Sequence, residues 1–418
     1  MSFHSRNHQE PEWFAKAVRD DMGNAVANVA NALLALSNDP AISTCFEFDE
    51  MQRDVMLVRP IPFQESGALS NEPHQRRVVT DVDATGVQVY LQRTGLPRIG
   101  KDTIFQAIDA RARQCSVHPV RDYLDGLKWD GSKRVDSWLS DYLGVEAGDY
   151  ARAIGRMFLV MMVARVYRPG CKADYALILE GRQGTGKSTA CRVLGGDFFS
   201  DSLPDLRQAK EAATHLRGRW LIEISELSAL RGAASEMLKS FMSRTTERYR
   251  PAYGRREVVE DRQCVFVGTT NQSAYLHDET GGRRFWPVTT GRIDTAALAR
   301  DRDQLFAEAV ALYRDGAEWW PDADLEAQHI RPEQESRFEA DAWEHPVREF
   351  LGGKRSVVVK EVAQGALGME AKRIGTADNR RLTAIMERLG WQRGKKDWRG
   401  NIAWTNTASG APDLRVAA

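Results

Sequence analysis

The sequence is poor in the features that mark secreted, zinc-bound and membrane-spanning proteins. Its 418 residues include five cysteines, and none forms a C-x-x-C pair, which disfavours a zinc ribbon and a disulfide framework. The longest apolar run, from Met157 to Ala164, is far too short to cross a bilayer, and the first residues lack a secretory pattern. We therefore expect reduced thiols, no membrane contact and a cytoplasmic location.

Net charge is also absent. The 58 basic residues (Lys and Arg) equal the 58 acidic residues (Asp and Glu), so only a local surplus of charge can indicate a polyanionic partner. The hydrophobic share of 42% and the charged share of 28% are typical of a globular protein. The length favours two or three domains over a single core.

The strongest chemical signal is a glycine-rich motif. The apolar run from Ala176 to Leu179 predicts a short buried strand, and the residues from Gly181 to Ser188 then fit G-x-x-x-x-G-K-[ST] before a predicted helix. Glycine lets backbone N–H groups turn toward one centre, beside the positive end of the helix. The motif predicts a phosphate-binding loop. A glycine-rich turn that binds nothing is the alternative, but it would need neither the lysine nor the hydroxyl.

This motif also predicts individual roles. Lys187 is expected to contact the β- and γ-phosphates of a nucleotide, and the Ser188 hydroxyl is expected to join the ligands of Mg²⁺. The predicted nucleotide-binding residues are Gly181, Gln183, Gly184, Thr185, Gly186, Lys187, Ser188 and Thr189.

Two glutamates follow the motif, at or near the end of a predicted strand that begins at Trp220. Ligands gather at the carboxyl ends of parallel strands, so one acid can serve Mg²⁺ and the other can orient the attacking water. We assign Glu226 to the water and Glu223 to the metal. Side chains alternate along a strand, so the two point oppositely unless the strand ends before residue 226. Salt-bridged acids at a strand end are the alternative, and the identity of the catalytic acid stays open.

Three further polar residues complete the predicted catalytic set. Asn271 ends a predicted strand and can hydrogen-bond the γ-phosphate or the attacking water, although a turn-forming asparagine is the alternative. Arg283 and Arg284 follow a pair of glycines, from which an arginine could enter the nucleotide site of a neighbouring subunit. Ion pairing within the subunit is the competing interpretation for both arginines.

An arginine-rich hairpin is predicted between residues 244 and 261, with its turn at Pro251 and Gly254. Guanidinium groups contact phosphates, and rings such as Tyr249 and Tyr253 can stack on bases. The candidate DNA-binding residues here are Lys239, Arg248, Arg250, Tyr253, Arg255 and Arg256. A solvated charged hairpin and a subunit contact are the alternatives.

The regions before the motif are predicted to be mainly helical. Residues 1–117 hold no recognisable catalytic cluster, and we predict a helix from about Phe14 to Leu36, a strand near 55–58 and helices near 84–91 and 101–115. Residues 118–170 are predicted to pack on the core, as a helical hairpin turned at Asp130 and Gly131 and followed by a helix over 150–167. The side chains predicted to pack along one side of the hairpin are Tyr123, Leu127, Trp129, Trp138, Leu139 and Leu143. We prefer this packing to a nucleic-acid surface. Residues 171–320 form the predicted core, and residues 321–344 are predicted to be a polar linker or lid with a helical tendency.

The composition changes from about His345. A helix, a second helix and two strands around a turn at Gly400 predict a winged helix-turn-helix within residues 345–418. Between Lys372 and Arg399, nine basic residues outnumber three acidic residues, a surplus that favours contact with phosphates. Lys395 and Lys396 are the candidate DNA contacts in this part, and a protein-binding winged helix is the alternative.

These stretches together resemble the virulence-associated protein E family of phage and genomic-island proteins, which look like superfamily three helicases of the AAA+ class. The resemblance runs from about His118 to Trp319 and rests on HPVRDYLDGLKWDG, RPGCKADYALILEGRQGTGKST, RGRWLIEISEL, RYRPAYGRR, VFVGTTN and DETGGRRFWPV. The chain departs from the common adjacent pair of acids, because Ser225 precedes Glu226.

The resemblance implies an α/β P-loop ATPase core of AAA+ type that hydrolyses ATP with Mg²⁺ in a homo-oligomeric ring, expected to be a hexamer. It implies the roles given above for Lys187, Ser188, Glu223, Glu226, Asn271 and Arg283 or Arg284, with the hairpin over 249–256 in the central channel. The expected function is an ATP-dependent DNA helicase or translocase that acts on single-stranded or forked DNA, alongside replication partners, for a phage or mobile element in a bacterial cell. An ATP-switched origin-binding or DNA-assembly protein and a small-molecule kinase are the alternatives, and primase activity is not expected.

Overall fold

The structure of the chain is a computed structural model, and it describes residues 11–62, 75–203, 205–225, 233–251, 256–276, 282–337, 341–396 and 402–406. The chain forms two compact units. Unit 1 comprises Met1–Ser273 with Arg283–Gln334, and unit 2 comprises Ala274–Gly282 with Glu335–Ala418. Unit 1 contains two hydrophobic cores and unit 2 contains a further one.

The first core of unit 1 joins three helices to a small sheet. Its helices are α1 (Val29–Asn38), α2 (Asp81–Arg93) and α3 (Lys101–Gln114), after a 3₁₀ helix (Glu12–Lys16). Its strands are β1 (Phe46–Asp49), β2 (Asp54–Leu57), β3 (Arg77–Val78) and β4 (Ser116–Val117), in the order β3-β2-β1-β4. β4 is parallel to β1, whereas β2 is antiparallel to both β1 and β3.

The predicted helix from Phe14 to Leu36 is found only in its last part, as α1, and is wrong before residue 29. The chain turns at Gly23, which has a φ of +83°, and Arg19 and Ala25 form an isolated β-bridge. Glycine adopts this left-handed conformation without steric cost. The Asn28 side chain then accepts a hydrogen bond from the Asn31 N–H, which begins α1. The predicted strand near 55–58 overlaps β2, but the other three strands were missed.

Three helices lead into the second core: α4 (Pro119–Gly126), α5 (Trp138–Leu143) and α6 (Asp149–Tyr167). Trp138, Leu139 and Leu143 are buried as predicted. Trp129 is 39% exposed and its Nε1–H donates to the Ser132 carbonyl, so the predicted packing of this ring is wrong. The helix predicted over 150–167 is confirmed.

The second core surrounds a five-stranded sheet in which every pairing is parallel. The strands are β5 (Ala176–Glu180), β6 (Phe199–Ser200), β7 (Leu221–Ile224), β10 (Val265–Thr270) and β11 (Phe285–Thr289), in the order β11-β5-β10-β7-β6. The strands β8 (Thr246–Tyr249) and β9 (Val258–Asp261) form a separate antiparallel hairpin. β5 and β10 are apolar over most of their length because helices cover both faces of a parallel sheet.

The helices of this core follow the strands. They are α7 (Lys187–Gly195), α8 (Ala209–Leu216), α9 (Ala233–Met242) and α10 (Thr295–Arg314). A 3₁₀ turn (Gly196–Phe198) leads from α7 into β6. The chain continues through α11 (Ala323–Leu325), a π-helical segment (Glu326–Ile330) and α12 (Arg331–Ser336), so much of the segment predicted as a linker is helical. The mixed α/β fold with a parallel sheet is confirmed.

Unit 2 is built on a three-stranded antiparallel sheet. Its main elements are α13 (Glu344–Leu351), β12 (Ser356–Val358), α14 (Val359–Leu367), α15 (Thr376–Arg388), β13 (Trp391–Lys396) and β14 (Ile402–Asn406), with the strand order β12-β14-β13. The predicted succession of two helices and two strands is found as α14, α15, β13 and β14. β12 was not predicted, and the turn at Gly400 lies outside the described residues.

None of the helices in the described ranges is long and apolar enough to span a membrane.

Candidate active site

The glycine-rich loop leaves the carboxyl end of β5 and enters α7. Gly181 has a φ of +152°, and a Cβ atom there would lie 2.6 Å from Thr290 Oγ1. Gly186 is the N-cap of α7 with a φ of +95°. Both conformations are strained for a residue with a side chain, so the loop needs glycine at these positions. The start of α7 directs its unpaired N–H groups into the loop, as an anion site requires.

Lys187 lies at the centre of this loop. Its side chain is buried, and Nζ donates hydrogen bonds of 2.8 Å to the carbonyl oxygens of Gly181 and Arg182. Burial lowers the pKa of the Lys187 ammonium, and the nearby Glu223 carboxylate acts in the opposite direction. The carbonyl groups satisfy its hydrogen bonds but supply no compensating charge, so the position favours an incoming anion.

Ser188 and Glu223, which lie on separate elements, meet beside the loop. Ser188 Oγ donates to Glu223 Oε1 at 2.6 Å, and Thr269 Oγ1 donates to the same oxygen at 2.6 Å. Glu223 is 1% exposed, and its second oxygen, Oε2, is buried with no hydrogen-bond partner in the described structure. Sequence reasoning missed Thr269, because its proximity to Glu223 depends on the pairing of β10 with β7.

A cavity of about 810 Å³ opens over these residues. Its lining contains every predicted nucleotide-binding residue except Gly181, and it also contains Glu223 and Asn271. Ser225, Thr270 and Gln272 line it as well and were not predicted. The volume lies within the usual range for sites that bind small molecules and cofactors. The structure therefore brings the motif, the first acid and the strand-end asparagine to one polar cavity.

The second acid, Glu226, lies outside the described residues. β7 ends at Ile224, and Ser225 begins a turn in which its Oγ donates to the Asp201 carbonyl at 3.4 Å. The strand therefore ends before residue 226, so strand alternation does not force the two glutamates to point oppositely.

The two arginines lie at the amino end of β11, which is the opposite end of the parallel strands from the loop. Arg283 and Arg284 immediately precede β11, whose Phe285 is opposite Ala176 at the start of β5. The loop follows Glu180, which is opposite Thr289, so about 13 Å of strand separates these ends. Arg283 is exposed, whereas Arg284 is largely buried with Nε 3.6 Å from Asp174 Oδ2. Neither residue lines the cavity.

Residues 124–339 match the virulence-associated protein E-like domain, which is more than half of the 418-residue chain. The chain belongs to this family. The match contains the loop, both predicted acids, the hairpin and the two arginines, and it confirms the resemblance drawn from the motifs.

Three solved structures are similar to this family member at low identity. An A-form apo structure of the NrS-1 C-terminal region is 11% identical, covers 86% of this chain and 96% of that chain, and has a TM-score of 0.48. A further apo structure of the same region is 14% identical, with coverages of 86% and 95% and a TM-score of 0.44. A mutant of Thermotoga maritima RuvB is 15% identical, with coverages of 65% and 95% and a TM-score of 0.24. No curated protein matches the chain.

The arginine-rich hairpin of this family member is formed by β8 and β9, as predicted. Arg248 is exposed and lies 3.6 Å from the Glu257 carboxylate, and Arg256 is also exposed. Tyr253 and Arg255 fall outside the described residues. Tyr249 is buried with its hydroxyl donating to Glu260 at 3.1 Å, so its ring is not free to stack on a base.

Lys239 does not fit its predicted contact with DNA. Its side chain is 5% exposed, and Nζ donates to Glu236 Oε1 at 2.9 Å. Lys239 therefore lies on the buried face of α9. The sequence alone did not show that this lysine belongs to the face of the helix that packs inward.

The base of the hairpin is fixed by buried charges that the sequence did not reveal. Glu260 accepts a hydrogen bond from Arg217 at 2.6 Å. Arg262 donates to Glu247 Oε1 through Nε at 2.7 Å, and its guanidinium lies 4.2 Å from the centre of the Phe241 ring. These contacts hold the base of the hairpin against the core.

Proposed function

We propose that this chain is an ATP-hydrolysing motor of AAA+ P-loop type that forms a ring and acts on DNA as a helicase or translocase. Its setting would be the replication of a phage or mobile genetic element in the bacterial cytoplasm. The observation that carries the proposal is the meeting of Lys187, Ser188 and Glu223 in one polar cavity at the carboxyl end of a parallel sheet. This edge is where ligands bind in open α/β sheets.

The residues of the cavity fit ATP with Mg²⁺. The loop and the start of α7 provide N–H donors, and Lys187 would exchange its two carbonyl partners for phosphate oxygens. The Ser188 hydroxyl and the buried, unpaired Oε2 of Glu223 are oxygen ligands of the kind that Mg²⁺ prefers. The bound ion would neutralise charge on the β- and γ-phosphates.

Two further side chains would act on the γ-phosphate and the attacking water. Asn271 directly follows β10 and lines the cavity, where its amide can hydrogen-bond either group. Glu226 follows the turn after β7 and would orient the water. In this proposal Glu223 holds the metal and Glu226 is the catalytic acid.

The position of the arginines supports a ring. Because Arg283 lies at the opposite end of the parallel strands from the loop, it would complete the nucleotide site of a neighbouring copy. Such head-to-tail contacts close into a ring, which we propose to be a hexamer. Arg284 would instead stabilise its own subunit through Asp174.

DNA would be held at two places. The hairpin carries Arg248, Arg250, Arg255, Arg256 and Tyr253, which would contact the backbone and bases of a single strand in the ring channel. The order of helices and strands in unit 2 supports the proposal of a winged helix, in which the basic strand β13 with Lys395 and Lys396 would contact phosphates.

The direct test is the DNA-stimulated hydrolysis of ATP by the full chain. Lys187→Ala should abolish the activity, because the ammonium would no longer stabilise charge on the phosphates. Lys210→Ala removes an exposed lysine from α8 and should leave the activity intact. Full activity in the first variant would show that the cavity is not the catalytic site.

A second candidate function is an ATP-switched origin-binding or assembly protein that does not unwind DNA. It is favoured by unit 2, which is a separate compact unit with its own core and a surplus of basic residues between Lys372 and Arg399. Strand displacement from a forked duplex separates the two functions, since only the motor releases the displaced strand in an ATP-dependent reaction.

A further inference from the structure

The helix α15 of unit 2 has one face inside the core and another face in solvent. Leu382, Ile385 and Met386 are buried. Asn379 and Arg380 are exposed, and Thr383 and Glu387 continue the same face at intervals of four residues. The outer face therefore presents an amide, a guanidinium, a hydroxyl and a carboxylate along two helical turns.

A groove of about 560 Å³ runs beside this face. α14 contributes Lys360 to its lining, β13 contributes Arg393, and the ring of Trp404 lies at its floor. The outer face of α15 is therefore flanked by two cations, Lys360 on the neighbouring helix and Arg393 on the sheet.

The lining of this groove carries more positive than negative charge. Within the described residues, Arg381 pairs with Asp341 at 2.7 Å, Arg348 with Glu344 at 2.6 Å and Arg373 with Glu370 at 3.6 Å. No carboxylate within ion-pair distance serves Lys360, Arg380 or Arg393 in that part of the chain. Glu387 is the one acidic residue in the described lining of the groove. The groove therefore holds three cations and one carboxylate beside the outer face of α15, a local surplus of positive charge.

We propose that the outer face of α15 reads the base sequence of double-stranded DNA in the major groove. The inference rests on the proposed function only in taking unit 2 as a DNA-binding part, and it requires no ATP hydrolysis. The major groove of B-form DNA, about 12 Å wide, admits an α-helix. Lys360 and Arg393 would contact phosphates beside it and fix the register of the helix.

The residue types on the face suit base readout. The amide of Asn379 can make two hydrogen bonds to adenine, the Arg380 guanidinium can make two to guanine, and Glu387 can accept one from cytosine. Thr383 can offer its methyl group to thymine. Binding to DNA without sequence preference would require only the cations. The amide, hydroxyl and carboxylate groups would let unit 2 distinguish one base sequence from another.

The test uses the full chain without nucleotide and a pool of random duplexes of about 20 base pairs. Repeated selection should enrich one sequence motif, and fluorescence anisotropy should then give affinities for the enriched duplex and a scrambled one. Asn379→Ala and Thr383→Ala should each weaken binding to the enriched duplex by about tenfold and should change binding to the scrambled duplex little. Arg393→Ala should weaken both and reduce the salt dependence of binding.

Lys372→Ala is the matched control, because Lys372 is exposed in unit 2 but does not line the groove. It should leave the preference for the enriched duplex unchanged. Thermal unfolding of each variant should match the parent chain, since the substituted side chains lie outside the core.

Several outcomes would overturn the inference. These are failure to enrich a motif, equal loss of affinity for both duplexes in Asn379→Ala, or binding of poly-glutamate at the groove without binding of duplex DNA. Lys187→Ala separates this inference from the proposed motor. It should lose hydrolysis and keep the selected duplex preference, whereas normal hydrolysis without any duplex preference would remove the inference alone.

Discussion

Ser188 Oγ donates a 2.6 Å hydrogen bond to Glu223 Oε1, which joins the first turn of α7 to β7. Thr269 of β10 donates to the same oxygen, so three elements meet at one carboxylate. The second oxygen of that carboxylate is buried and unpaired in the described structure. A buried polar atom without a partner costs free energy, and such atoms recur at catalytic sites. The burial of Glu223 is therefore better explained by the proposed ATP hydrolysis than by the stability of the fold.

Glu223→Gln should reduce ATP hydrolysis by about 10²- to 10³-fold, because the amide keeps the volume of the side chain but removes the charge that would hold Mg²⁺. Binding of a fluorescent ATP analogue should persist, since the loop and Lys187 are unchanged. Glu146→Gln alters an exposed carboxylate after α5 and serves as the control. Undiminished hydrolysis in Glu223→Gln would rule out its place at the metal.

Two inactive variants should complement each other if Arg283 acts on a neighbouring copy. Lys187→Ala lacks the loop lysine but keeps Arg283, and Arg283→Ala has the reverse defect. Random mixing in equal amounts makes about a quarter of the subunit interfaces complete, so hydrolysis should rise from background toward about that fraction. A mixture that stays at background would argue against the contact between copies.

Arg250→Ala combined with Arg255→Ala should reduce the stimulation of ATP hydrolysis by single-stranded DNA. The hairpin would lose two phosphate contacts, while the nucleotide cavity would be unaffected. Hydrolysis should be measured with and without DNA, alongside binding of an ATP analogue. Arg152→Ala, which changes an exposed arginine on α6, is the control. Normal stimulation in the double variant would exclude the hairpin as the DNA contact.

Glu247→Ala should lower the free energy of unfolding by about 3–5 kcal/mol, because it leaves the Arg262 guanidinium buried without its carboxylate. Asp109→Ala removes an exposed partner of Arg113 and should cost about 1 kcal/mol or less. Urea denaturation measures both changes. Equal effects of the two substitutions would show that the pair at the base of the hairpin is not energetically special.

Acid should destabilise the protein through His118. Its Nδ1 accepts a hydrogen bond from the Arg121 N–H at 3.1 Å, and its Nε2–H donates to Gln263 Oε1 at 2.6 Å. Burial lowers the pKa of His118 from its ordinary value of 6.5. The unfolded chain therefore gains a proton at a higher pH than the folded chain. The contribution of neutral His118 to the free energy of unfolding is fully present above about pH 6.5. It should decrease as the pH drops toward the pKa of His118 in the folded chain.

His118→Asn retains an oxygen that can cap α4 and removes the titrating group. The difference in unfolding free energy between about pH 7.5 and about pH 5.5 should become smaller in this variant. A residual difference is expected, because burial also lowers the pKa of His215. A pH dependence identical to that of the parent chain would show that His118 is not responsible.

The elements that could be predicted are those with a local cause. The glycine-rich loop is a motif of contiguous residues, and α6 has an apolar pattern that ends before Pro169 and Gly170. Both were therefore predicted with nearly correct bounds. The helix predicted across Gly23 is absent, because the prediction relied on the spacing of apolar residues and gave too little weight to Gly23. The left-handed conformation of this glycine turns the chain. The small strands β1, β3 and β4 were missed because their pairing joins residues far apart in sequence.

The sequence by itself determined where the glycine-rich loop lies and which groups it brings together, because spacing within a short loop fixes which backbone and side-chain groups can face one centre. It also determined the family, through motifs that lie in a fixed order along the chain. Only the tertiary structure decided that Thr269 shares Glu223 with Ser188, that Lys239 and Tyr249 are buried, and that Arg283 lies at the opposite end of the parallel strands from the loop. Burial and strand order arise from contacts between distant segments, and no local pattern of residues encodes them.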